Sequence, residues 1–148
     1  MPNMQDQRGR SKTTGHYVRL QTFMLKTLAW QELRANARVI YVELASRYYG
    51  SNNGRITLSA RDAARLCHLN KNTVTRAFRQ LVDHGFIECV TSGGFSRKVR
   101  HATEWRLTEH RCDVTKALPT KAFMRWRPQK QNTAPKEGHT GPHLGPQA

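Results

Sequence analysis

Acid is scarce in this chain. Ten Asp and Glu face 25 Lys and Arg over 148 residues, a formal net charge of +15. That excess opposes compaction by self-repulsion and attracts polyanions, so nucleic acid or an anionic membrane surface leads as partner class. No apolar run approaches the ~18 residues that a membrane span requires. The first residues, MPNMQDQRGRSKTTG, lack the apolar centre of a secretory signal. No membrane-spanning segment or secretory leader is therefore expected, and no membrane is expected as partner. Cysteine is also sparse: Cys67, Cys89 and Cys112 are odd in number and have no metal-ligand spacing, although His68 and His110 stand near two of them. They read as structural residues of a protein kept in a reducing cytoplasm. Catalytic signatures are missing too. There is no Gly-rich phosphate loop, no G-x-S-x-G and no H-E-x-x-H. So few dispersed acids supply no carboxylate cluster for two-metal chemistry. No enzyme activity, metal or cofactor is expected.

What is present divides into three parts. Residues 1–15 form a polar, basic arm, expected to be flexible. Arg8, Arg10 and Lys12 in it could follow a groove of a polyanion or do nothing. Residues 127–148, rich in Pro, Gly and polar side chains, cannot bury enough surface to offset their ordering entropy. Between them, residues 16–126 have the size of one domain.

Within that domain the periodicity predicts a brief helix over residues 22–27 and a core helix over residues 35–49. The second carries Ala37, Ile40, Tyr41, Leu44, Ala45 and Tyr48 on one face. Gly50 and GSNNG stop it. Ile56, Thr57 and Leu58 make a short extended run. Ser59, with Asp62 three positions on, reads as a capping box opening a small helix whose inner face is Ala63, Ala64 and Leu66. A turn over residues 67–69 follows, and Asn70 caps the next helix. There Val74, Ala77, Phe78 and Leu81 face inward, and Gly85 supplies a left-handed end. Residues 86–91 and 102–107 are expected to pair as strands across a turn at Ser92.

The stretch ITLSARDAARLCHLNKNTVTRAFRQLVDHGFIE resembles the helix-turn-helix core of many bacterial winged-helix DNA-binding proteins. The S-x-x-D-A-A, N-K-N-T-V-x-R and L-x-x-x-G-F-I elements carry the likeness, which covers residues 34–107. Residues 17–126 are similar more broadly to small winged-helix proteins of plasmids, phages and chromosomes, including N-terminal domains of replication proteins. The resemblance implies an α+β, mainly α, winged helix-turn-helix fold with a C-terminal β-hairpin wing. It implies a sequence-specific protein of double-stranded DNA, cytoplasmic and nucleoid-associated. Such a protein is most simply a homodimeric transcriptional regulator, a repressor by preference. A plasmid or phage replication or partition protein binding repeated origin sites is one alternative. An architectural DNA-binding protein is another.

The side chains agree with a helix that enters the major groove. Such a helix keeps an apolar face for its own domain and offers short polar and basic groups elsewhere. In helix 70–84 the positions left uncommitted are Asn70, Lys71, Asn72, Thr73, Thr75, Arg76, Arg79, Gln80 and Asp83. A helix that is merely solvated usually mixes charge signs for i, i+4 pairing, and Glu is absent from this face. Asn pairs two-pronged with adenine and Arg with guanine, so Asn72, Thr75 and Arg76 are the expected base readers. Lys71, Thr73 and Arg79 are expected on phosphates, together with Arg55, Ser59 and Arg61 upstream. The wing, residues 92–101, brings Arg97, Lys98, Arg100 and His101 to backbone or minor groove. No pocket-lining set is apparent, so no small-molecule effector is expected.

Overall fold

The structure, a computed structural model, describes residues 15–93 and 101–129. Five helices, three short strands and a final 3-10 turn follow one another along it. These are α1 (Thr22–Leu25), α2 (Leu28–Gln31), α3 (Ala35–Ser46), β1 (Ile56–Thr57), α4 (Ala60–Cys67), α5 (Lys71–Asp83), β2 (Ile87–Thr91), β3 (Glu104–Leu107) and the turn Ala122–Met124. The chain is thus α+β and mainly helical, with one small antiparallel sheet in the order β1-β3-β2.

The helix expected over residues 22–27 ends at Leu25, a second, unexpected one follows over Leu28–Gln31, and Thr27 is the reason. Its extended backbone interrupts the first turn. Its hydroxyl donates to the Met24 carbonyl at 2.7 Å and accepts from the Trp30 N–H at 3.2 Å. One side chain thereby closes α1 and caps α2. The core helix, in turn, stops at Ser46 rather than Tyr49. Asn52 folds back on its end, donating Nδ2–H to the Arg47 carbonyl at 2.9 Å and accepting the Tyr49 N–H at 3.0 Å.

The periodic faces are buried as the sequence predicts. Ala37, Ile40, Tyr41, Leu44 and Ala45 of α3 pack with Val74, Ala77, Phe78 and Leu81 of α5. Each large aliphatic side chain buried this way contributes about 1.5–3 kcal/mol. In α4 only Ala63 is fully buried; Ala64, expected inside, is half-buried against the core with Ala60 and Cys67, and Leu66, expected inside, is exposed. An aromatic column runs through the core. The rings of Trp30, Tyr41 and Phe86 meet edge to face at 5.6–5.7 Å, and Phe123 stacks on Phe86 at 4.9 Å. Residues 120–126 are therefore docked on their own domain.

The sheet supports α5 from below. Trp105 on β3 stacks flat on Phe78 at 4.7 Å, and its indole N–H donates to the Leu58 carbonyl at 3.0 Å. Ile56 faces Trp105 on one side, and Cys89 faces it on the other. Between Cys89 and Thr91 the register slips, so Val90 is an extra residue in β2.

Asn53 is a buried hub that periodicity does not reveal. Its amide donates to the carbonyls of Leu107, His110 and Arg111 and accepts the Leu107 N–H at 2.7 Å. It joins the loop after α3 to the chain after β3.

Candidate nucleic-acid interface

Helix α5 is anchored at both ends by its own sequence. At the start, Asn70 Oδ1 accepts the Thr73 N–H at 2.8 Å. At the finish, Gly85 stands at φ +81°, while its N–H reaches the Val82 carbonyl and the Phe86 N–H reaches the Leu81 carbonyl. That pair of bonds closes the last turn. The expected cap of α4 is present in altered form. Ser59 Oγ accepts the Asp62 N–H at 3.0 Å and donates its own hydrogen to Asp62 Oδ2 at 2.8 Å. Asp62 therefore returns to the Ser59 hydroxyl instead of the Ser59 backbone.

Two anchored helices fix what α5 presents to solvent. Asn72, Arg76 and Arg79 follow one another at i, i+4 and i+7, so they share one stripe, and all three are exposed. No acid occurs from Asn70 to Val82; Asp83 is the first. Thr75, also exposed, is i+3 from Asn72 and i−4 from Arg79 and forms the edge of the stripe nearest the sheet, lining a cleft with Ser92, Gly93 and Thr103 at the strand ends. Its hydroxyl donates to the Lys71 carbonyl at 2.9 Å, leaving a methyl group and lone pairs outward. Thr73 is half-buried and turns the opposite way, toward α3. Arg79, assigned to phosphate from the sequence, thus stands beside Asn72, Thr75 and Arg76 on one exposed face.

On the α3 side an open groove of about 570 Å³ runs between the two helices. Arg34, Asn36, Thr73, Arg76, Arg79 and Gln80 are among its lining residues. Sequence reasoning missed Arg34 and Asn36, because their nearness to α5 is a tertiary fact. Gln80 makes it so: its Oε1 accepts the Arg34 N–H at 3.1 Å and its Nε2–H donates to the Glu32 carbonyl at 3.4 Å. Gln80, which the sequence left uncommitted, is a fastener between helices. At the far end of the groove His84 donates from Nδ1 to the Gln80 carbonyl at 2.9 Å and stacks on Trp126 at 4.1 Å. Burial pushes its imidazole below the ordinary value, against the opposite pull of the Gln80 carbonyl, Asp83 and Glu32.

The remaining candidates are more dispersed. Arg55 and Arg61 are exposed, the latter at the start of α4. Lys71 is exposed at the start of α5. Ser59 has already committed its hydrogen to Asp62, and a phosphate, which only accepts, would need that hydrogen. His101 is exposed beside β3. Arg97, Lys98 and Arg100 lie outside the described residues. Among the described residues no three His, Cys, Asp or Glu side chains gather to hold a metal ion, and no helix is long and apolar enough to cross a membrane.

No family model matches the chain, and no curated protein or solved structure matches it.

Proposed function

We propose that the chain is a winged helix-turn-helix protein that reads double-stranded DNA with α5 in the major groove. The observation that carries this reading is the stripe of Asn72, Arg76 and Arg79. It is exposed, carries no acid before Asp83 at its C-terminal end, and is set on a helix capped at both ends and braced by Trp105 beneath. A rigid helix offering an amide and two guanidiniums at one-turn spacing suits base edges, each two-pronged pair being worth about 1–3 kcal/mol of discrimination. The order α3, β1, α4, α5, β2, β3 supports the fold assignment, with α4 and α5 as the helix-turn-helix and β2 and β3 as the wing. Lys71, Arg55, Arg61 and the wing cations serve the backbone in this reading, and their contribution falls with added salt.

The role that fits best is transcriptional regulation, by repression, from a homodimer on an inverted repeat. Half-sites would be about 10 base pairs apart per helical turn. Selection of bound sequences from a randomised duplex pool, at two salt concentrations, tests it. The expected result is an enriched, two-fold symmetric motif that survives the higher salt. Tandem direct repeats would instead support a replication or partition protein at an origin. Binding without enrichment that collapses with salt would leave only an architectural role.

A further inference from the structure

Past the C-terminal end of α3, away from the α5 groove, an aromatic cleft of about 390 Å³ opens. That size lies within the usual range of small-molecule sites, about 300–1,000 Å³. Tyr17, Tyr48 and Tyr49 line it with His16, Arg19 and His110. Tyr17 and Tyr49 are 65% and 68% exposed, large rings with little protein against them. The remaining aromatic surface is held in place. Tyr48 stacks on His110 at 4.5 Å, and His110 Nε2 contacts Glu109 Oε1 at 3.2 Å. Glu109 is itself buried and accepts the Tyr41 hydroxyl at 3.1 Å. The Arg19 guanidinium lies 5.7 Å over the Tyr17 ring and donates to its hydroxyl at 3.1 Å. A stacking surface and a cation are therefore preset at one opening.

The geometry points to a nucleotide site: a nucleobase stacked on the tyrosines with its phosphate on Arg19. Base stacking on aromatic rings accepts any base, because every base has a π-face. Arginine matches phosphate with a planar two-pronged donor set. The same rings could enclose a cation, but no carboxylate lines the opening, Glu109 being buried behind His110, while Arg19 brings a positive charge to it. Tyr48 keeps its phenolic hydrogen for donation, since burial first, and then Asp113 and Glu109, push its ionisation upward. The ligand is either a free nucleotide or an unpaired base within a strand; both offer the same chemistry.

Titrating the full chain with adenosine 5′-monophosphate, and separately with a four-nucleotide single strand of DNA, tests the site. Saturable binding tighter than about 1 mM is expected for at least one probe. If the mononucleotide saturates, the ligand is free nucleotide; if only the tetranucleotide does, it is an unpaired strand. The Tyr17→Leu/Tyr49→Leu variant, altered only at exposed positions, is expected to weaken binding about tenfold or more. Arg19→Gln is expected to weaken the monophosphate while leaving adenosine unchanged. No saturation by either probe, or binding undiminished in the tyrosine variant, overturns the proposal. Loss of mononucleotide binding in Arg76→Ala would place the probe on α5 and overturn it equally. The site does not depend on the duplex reading, whose failure would appear in the selection experiment alone.

Discussion

Gly85→Ala and Gly50→Ala together isolate what the C-terminal segment contributes. Both glycines are left-handed, at φ +81° and +99°. An alanine in that conformation costs roughly 1–2 kcal/mol at either position. Their surroundings differ. A Cβ on Gly50 meets nothing within 4 Å, whereas one on Gly85 would lie 2.7 Å from the Phe123 nitrogen and 2.8 Å from the Ala122 carbonyl carbon. Carbon contacts are comfortable near 3.5–4.0 Å, and these neighbours are backbone atoms, so residues 122–123 must move by about an ångström. Phe123 is 1% exposed and stacked on Phe86, so moving it forfeits part or all of its burial. Burial of such a ring is worth about 1.5–3 kcal/mol, and the stacked pair adds about 0.5–1.5. Gly50→Ala should therefore cost about 1–2 kcal/mol, and Gly85→Ala about 3–6. Urea unfolding at constant slope reads both. Equal losses in the two variants would refute the close docking of residues 120–126.

Three further outcomes are expected. Arg76→Ala should relax preference at one base pair by about 1–3 kcal/mol, while Lys71→Ala should weaken all duplexes alike and reduce the salt slope by about one; competition binding at several salt concentrations separates them. Replacing Asn53 by Leu should cost about 3 kcal/mol or more by thermal or urea unfolding, since the Leu107 N–H and three carbonyls lose a buried partner. His84, held below its ordinary 6.5, binds fewer protons folded than unfolded just under that pH. Its contribution is complete above 6.5 and is lost as pH falls through the window below it. The wild type should therefore lose stability more steeply than His84→Phe, which keeps the ring stack, as pH falls through and below 6.5; parallel curves would exclude His84 as the titrating group.

Local chemistry was legible in the sequence wherever a single segment decides it. The inner faces of α3 and α5, the caps Ser59 and Asn70, and the turn at Gly85 all rest on neighbours within a few positions. Legibility failed where distant residues decide. Thr27 ends one helix and starts another because its hydroxyl satisfies both sides of a break, which no apolar count records. Leu66 stays exposed because α3 covers the Ala63 and Ala64 side of α4, a crossing that periodicity does not record either. Gln80 looked like a free polar residue until Arg34, 46 positions away, supplied its partner. For the candidate interface, residue type on α5 was readable. The spacing of Asn72, Thr75, Arg76 and Arg79 was readable as well; the nearness of Arg34 and Asn36 was not, because only the folded chain brings them to the same groove.

The aromatic column has a consequence for how the protein is made. Phe86 and Trp30 present surfaces that Phe123 and Trp126 complete or flank, almost at the end of the described chain. A ribosome emits about 5–20 residues each second, so the helices emerge well before their last covering ring. Until that ring leaves the exit tunnel, the nascent domain shows an open aromatic face. Closure of the core thus comes after the helices it covers have emerged, and residues 122–126 complete a face that α2, α3 and α5 have already built.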